Sequence, residues 1–180
     1  VRKGLDKRGI VQLGITAVIF VIIGGYLSQF LDPIILTYLL GFFLVALSLL
    51  FLIFKKLVVK ATAKNAFIGG TLSGLSAGIL GTGGAIRGIT LSAFKMNKDK
   101  FIATSAVIDL GVDFSRTIVY YFNGYMRKDL LYLIPILIVI GILGTWIGKL
   151  ILNKISQEQF RFIVLFLILG IGLTSIVSNL

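Results

Sequence analysis

The chain has 180 residues, of which 57% are hydrophobic and only 14% charged, against roughly 25% charged in soluble domains. With a mean hydropathy of +1.03, these values indicate an integral membrane protein. A net charge of +11 would point to nucleic acid in a soluble protein, but here the lysines and arginines cluster between apolar runs, as cytoplasmic loops do. There is no cysteine and no histidine, which excludes disulfides, thiolate chemistry and the commonest general base and metal ligand.

A membrane-crossing helix needs roughly 20 apolar residues. The first such run is Gly9 to Leu31, closed by Asp32-Pro33, and the second is Pro33 to Phe54, closed by Lys55 and Lys56. The first is longer than the ~7–15-residue core of a signal peptide and is expected to remain as a span. A third run begins at Asn65 and holds eight glycines before Thr90. The fourth is Phe101 to Phe122, the fifth Leu130 to Leu152, and the sixth Phe160 to Leu180.

The third run is the unusual one. Gly70, Gly74 and Gly78 recur every four residues, a spacing that serves close helix packing. Gly81-Thr82-Gly83-Gly84 should instead end a helix. Restarting near Ala85, the chain would aim unsatisfied N–H groups and a positive dipole end at the gap. Arg87 follows, and its guanidinium can fork onto an oxyanion. Pairing with a carboxylate and snorkelling to the membrane edge are open alternatives.

Loop charge distinguishes two topologies. If the third run crosses fully, two loops of three positive residues fall outside. If it enters, turns at Gly81–Gly84 and returns, Arg2, Lys3, Lys7, Arg8, Lys55, Lys56, Lys60, Lys64, Lys95, Lys98, Lys100, Lys149, Lys154 and Arg161 lie inside. Only Arg127 and Lys128 then lie outside. The positive-inside rule favours the second arrangement. The expectation is an all-α, polytopic protein of the plasma membrane. It has about five full spans, a re-entrant glycine-rich hairpin and a cytoplasmic N-terminus.

The fourth run carries Asp109, Asp113 and Arg116 at spacings of four and three, on one helix face with Ser105 and Tyr120. Each charge at the membrane centre costs about 2.5–3.5 kcal/mol, so all three must face protein or water. Asp113 with Arg116 is the expected local pair, and Asp109 can reach Arg87. This network either only locks helices together or serves a site, with a carboxylate carrying a coupling proton or cation and an arginine facing substrate. An aspartyl protease is disfavoured, because Asp109 and Asp113 are one turn apart on one helix and cannot easily share a site about 3 Å across.

Ile22–Pro33 resembles Ile142–Asn153, with Gly24 matching Gly144 and Tyr26 matching Trp146 at an offset of 120 residues. This divides the chain into 1–60, two spans left from a first repeat, and 61–180, a second repeat. With the topology above, the repeats are inverted, as in many transporters. The glycine hairpin would then have a counterpart beginning about 55 residues before Val1. On that expectation the chain lacks this part, or it is a natural half that acts with a second copy as a homodimer.

The run from Gly69 to Tyr125 resembles the sulfite exporter TauE/SafE family. The resemblance rests on GxxxGxxxGxxGxGG at Gly70, Gly74, Gly78, Gly81, Gly83 and Gly84, on Ala103-Thr104, and on the Asp113–Arg116 pair. The first-half glycine segment is absent, and Arg87-Gly88 stands where a proline often follows the glycines. The resemblance implies a multi-pass membrane protein of two similar halves that exports or imports sulfite, sulfonates or related small anions. Substrate binding is expected at Gly81, Thr82, Gly83, Gly84, Arg87 and Arg116, with Ser105, Asp109 and Asp113 as the coupling or ion network. A channel and a non-transporting scaffold are the alternative functions. No enzyme activity, cofactor, metal or nucleic-acid partner is expected.

Overall fold

The computed structural model describes residues 7–54, 59–94, 96, 98–125, 128–152 and 156–177, which form seven α-helices, a short 3-10 turn at Lys128–Leu130 and no strands. The helices are α1 (Lys7–Ser28), α2 (Pro33–Ile53), α3 (Ala63–Leu80), α4 (Gly84–Ser92), α5 (Lys98–Phe122), α6 (Leu133–Leu152) and α7 (Gln157–Val177). Each apolar run therefore becomes a helix, and the third becomes two. Among the described residues, α1 and α2 are long and apolar enough to cross a membrane, and α6 and α7 contain shorter apolar stretches. The loop cations Arg2, Lys3, Lys55, Lys56, Lys95, Arg127 and Lys154, and the expected end of the sixth run at Leu180, lie outside the described residues.

Local chemistry sets the boundaries. Asp32 caps α2 by accepting the Ile34 N–H at 2.7 Å, and Pro33 takes the first helical position, where its missing N–H costs nothing. Thr62 caps α3 by accepting the Asn65 N–H at 3.2 Å. Ser156 and Gln159 form a reciprocal capping box at α7, through bonds of 2.9 and 3.2 Å.

The chain forms two compact units, Val1–Leu39 with Lys55–Asn123, and Leu40–Phe54 with Gly124–Leu180. In the second, the C-terminal part of α2 packs on α7. Gly41 and Gly172 let the two backbones approach closely, each Cβ position lying 2.9–3.0 Å from the other's carbonyl oxygen. Ser48, fully buried, donates to the Leu165 carbonyl at 2.8 Å.

The first unit is built on α1, α3, α4 and α5, around Leu13, Ala17, Val21, Ala66, Ala77, Phe94, Ile108 and Val112. The four-residue glycine repeat seats α3 on α1. Gly70 meets the Leu13 carbonyl, Gly74 meets that of Ala17 and Gly78 meets that of Val21. A Cβ at Gly70 would lie 2.8 Å from the Leu13 oxygen and one at Gly78 2.5 Å from the Val21 oxygen, so only glycine fits. The pairing advances in the same direction along both chains, so α1 and α3 are parallel. Gly14 against Ile108 and Gly25 against Val119 show that α5 is parallel to them too. All three helices start at one end of the unit.

Candidate functional site

The break in the third run has the form expected of it. Gly81 ends α3 in the left-handed region with φ +76°, where glycine carries no steric penalty. Gly83 precedes α4 without a side-chain cap. It is buried, and a Cβ there would fall on the Ser73 carbonyl oxygen and within 3.0 Å of the Ala77 Cβ. Gly69 likewise lies against Thr90. Contacts of 83 with 73 and of 69 with 90 mean that α4 folds back along α3. At nine residues, α4 extends about 14 Å, too short to cross a bilayer core of about 30 Å.

The four charged residues converge on this turn. Arg87, in the first turn of α4, is buried at 4% exposure and pairs through Nη2 with Asp109 of α5. Burial in this ion pair overturns snorkelling as its role. Its Nε is buried and has no hydrogen-bond partner among the described residues. Ser105 donates to the other Asp109 carboxylate oxygen at 3.2 Å. Arg116 pairs with Asp113 at 2.9 Å and also donates through Nη1 to the Gly81 carbonyl at 2.7 Å and the Ala77 carbonyl at 3.3 Å. The two guanidinium groups flank the turn. Arg116 Nη1 lies 3.7 Å from the Cβ position of Gly81, and Arg87 Nη2 lies 3.5 Å from that of Gly84.

Two contributions escaped the sequence reading. Tyr120, placed there only on the charged face of the fourth run, donates its hydroxyl to the Gly78 carbonyl at 2.7 Å. It also lies under Arg116, whose guanidinium carbon is 5.9 Å from the ring centre. Asn123 Nδ2 donates to the Gly25 carbonyl at 2.7 Å, tying the end of α5 to α1. Asn123 stands seven residues beyond Arg116, on the face that already carries Asp109, Asp113 and Tyr120, and that periodicity was the available signal.

The chemical result is asymmetric. At the end of α3, the Ala77 carbonyl, which already accepts the Gly81 N–H at 3.1 Å, and the Gly78 and Gly81 carbonyls receive donors from Arg116 and Tyr120 on α5. At the start of α4, the first-turn N–H groups have no intrahelical acceptor, and Arg87 Nε adds a further donor. Gly81 and Gly84 are exposed, while Asp109 and Asp113 are 44% and 60% exposed. Gly81, Gly84 and both carboxylates are therefore accessible, while the Arg87 guanidinium is buried behind them. The formal charge of the two arginines is balanced by the two carboxylates.

Comparison with curated proteins and with solved structures gives no match. The model of the sulfite exporter TauE/SafE family matches residues 1–175 of the 180. That span contains the glycine turn and every charge around it, so the chain belongs to the sulfite exporter TauE/SafE family, a family of membrane transporters.

Proposed function

We propose that the protein is a secondary transporter of a small anion, such as sulfite, a sulfonate or a related organic acid, with its binding site at the turn between α3 and α4. The observation that carries this reading is Arg87. It is a buried guanidinium whose Nε has no partner among the described residues, set at the start of a half-helix whose dipole favours negative charge. Gly81, Thr82, Gly83 and Gly84 line the turn, and Arg116 adds positive potential while its own donors hold the end of α3. Because Asp109 already neutralises Arg87, an entering oxyanion competes with that carboxylate. Protonation of Asp109, with Ser105 as its local partner, would release Arg87. In this scheme Asp109 couples a proton to the anion, and Asp113 keeps Arg116 in place.

In the membrane, this reading has α1, α2, α5, α6 and α7 crossing the plasma membrane and α3–α4 entering and returning, with the N-terminus cytoplasmic. It also takes 1–60 and 61–180 as parts of inverted repeats that rock for alternating access. A homodimer would supply the second set of repeat contacts. Gly24 of α1 sits against α3, whereas its repeat counterpart Gly144 has nothing within 4 Å of its Cβ position among the described residues.

Flux of labelled sulfite and of a small sulfonate into proteoliposomes tests the function. The expected result is saturable uptake that responds to an imposed pH gradient and is lost in Arg87→Gln. Wild-type uptake by Arg87→Gln would rule out the site, and unsaturable flux would make the protein a channel.

A further inference from the structure

The first unit carries a second feature, which shares no residue with the turn. A groove of about 580 Å³ runs between α1 and α5, with Ile10, Gly14 and Val18 on one wall and Ala103, Ile108 and Gly111 on the other. Gly14 and Gly111 bring the two helices together along it, their Cβ positions lying 3.3 Å from the side chains of Ile108 and Val18. Since α1 and α5 are parallel, both start at the same end of the groove. Exposed Arg8 lies two residues before Ile10, and exposed Lys100 lies three residues before Ala103. From Ile10 the groove reaches Ile19, nine residues or about 14 Å along the helix, which is close to half of a hydrocarbon core of about 30 Å. An apolar channel one leaflet deep, with cationic side chains at its mouth, matches a phospholipid with an anionic headgroup in shape and charge.

We propose that this groove is a binding site for one acyl chain of an anionic phospholipid from the leaflet facing Arg8 and Lys100, with the headgroup phosphate held by these two residues. The site is independent of the anion reading, since it shares no residue with the glycine turn. A lipid wedged there would set the separation of α1 and α5, and through Gly25 and Asn123 the seating of the α5 C-terminus.

Native mass spectrometry of the delipidated full chain in detergent, titrated with phosphatidylglycerol or phosphatidylcholine of matched acyl chains, tests the proposal. Phosphatidylglycerol is expected to bind at least tenfold more tightly. Arg8→Ala/Lys100→Ala should remove that preference. Ala103→Phe, which puts a ring into the groove from an exposed position, should weaken both lipids, while Leu110→Phe, on the exposed face away from it, should leave both unchanged. Equal binding of the two lipids would overturn the headgroup assignment. Undiminished binding by Ala103→Phe would overturn the groove, as would a dimer that forms in place of the lipid complex and is broken by Ala103→Phe. If Ala103→Phe does not fold, the charge variant decides alone.

Discussion

The Arg87–Asp109 pair should respond unequally to the loss of its two members. Arg87 is 4% exposed and Asp109 44%, so the two groups have different recourse when left alone. Asp109→Asn removes the counter-charge and leaves a buried guanidinium whose Nε already lacks a partner. Breaking a buried pair this way costs about 3–5 kcal/mol, and the neutral hydrogen bond that Asn retains places this variant near the lower end. Arg87→Met removes the buried charge itself and fills similar volume. The remaining Asp109 keeps its Ser105 hydroxyl and, being 44% exposed, is solvated by water, so the loss should be about 1 kcal/mol. The double variant Arg87→Met/Asp109→Leu should lie close to wild type, because a buried pair replaced by apolar residues is often neutral. Denaturant unfolding in mixed micelles, read by helical circular dichroism, measures all three. An Arg87→Met loss equal to or larger than that of Asp109→Asn would refute the reasoning, because it would show that Arg87 is held by something other than this carboxylate.

Gly83→Ala should lower the unfolding midpoint and disturb the turn, since its Cβ would fall on the Ser73 carbonyl, whereas Gly88→Ala should be tolerated, having nothing within 4 Å; equal stability of the two variants would count against a close-packed hairpin. Tyr120→Phe should cost about 1 kcal/mol, the net value of one hydrogen bond, and Arg116→Lys more, because one ammonium cannot reproduce a fork that serves Asp113, Ala77 and Gly81 at once; unfolding of the two variants side by side checks the order. The chain has no cysteine, so single cysteines at Lys64 and Lys100 can be labelled with an impermeant maleimide in intact cells and inverted vesicles. Both should react from the same side and a cysteine at Gln29 from the other, and labelling of Lys64 and Lys100 from opposite sides would mean that the third run crosses.

The turn was legible because its cause is local. A Gly-Thr-Gly-Gly cluster in an apolar run breaks any helix, and the cost of lone charge in lipid made Arg87, Asp109, Asp113 and Arg116 seek one another. The return of α4 was legible only indirectly, through loop charge; the apolar character continues past Ser92 through Ala93 and Phe94, so nothing in composition marks where α4 ends. The targets of Arg116 and Tyr120 were not legible at all. They donate to backbone carbonyls, and every residue has one, so the acceptor leaves no mark on the sequence. A role for Arg116 as a free anion donor therefore looked equal to that of Arg87, although three acceptors already occupy its fork.

This difference between the arginines bears on which kind of solute the turn can hold. A broken helix presents two opposite partial charges, carbonyls at the end of α3 and N–H groups at the start of α4. A cation would need the carbonyl end. There, Arg116 donates to Ala77 and Gly81 and Tyr120 donates to Gly78, so α5 both consumes the acceptors and places a positive charge among them. Among the described residues, the amino end receives Asp109 from α5, bound to the Arg87 Nη2, and Arg87 Nε has no partner. One helix thus covers the Ala77, Gly78 and Gly81 carbonyls and leaves donors at the start of α4, which is the arrangement the proposed anion site needs. If the turn is the proposed anion site, Arg116→Met combined with Tyr120→Phe, which frees the α3 carbonyls, should weaken selectivity for sulfite over a cation in proteoliposome flux without touching Arg87, and unchanged selectivity would refute this division of the break.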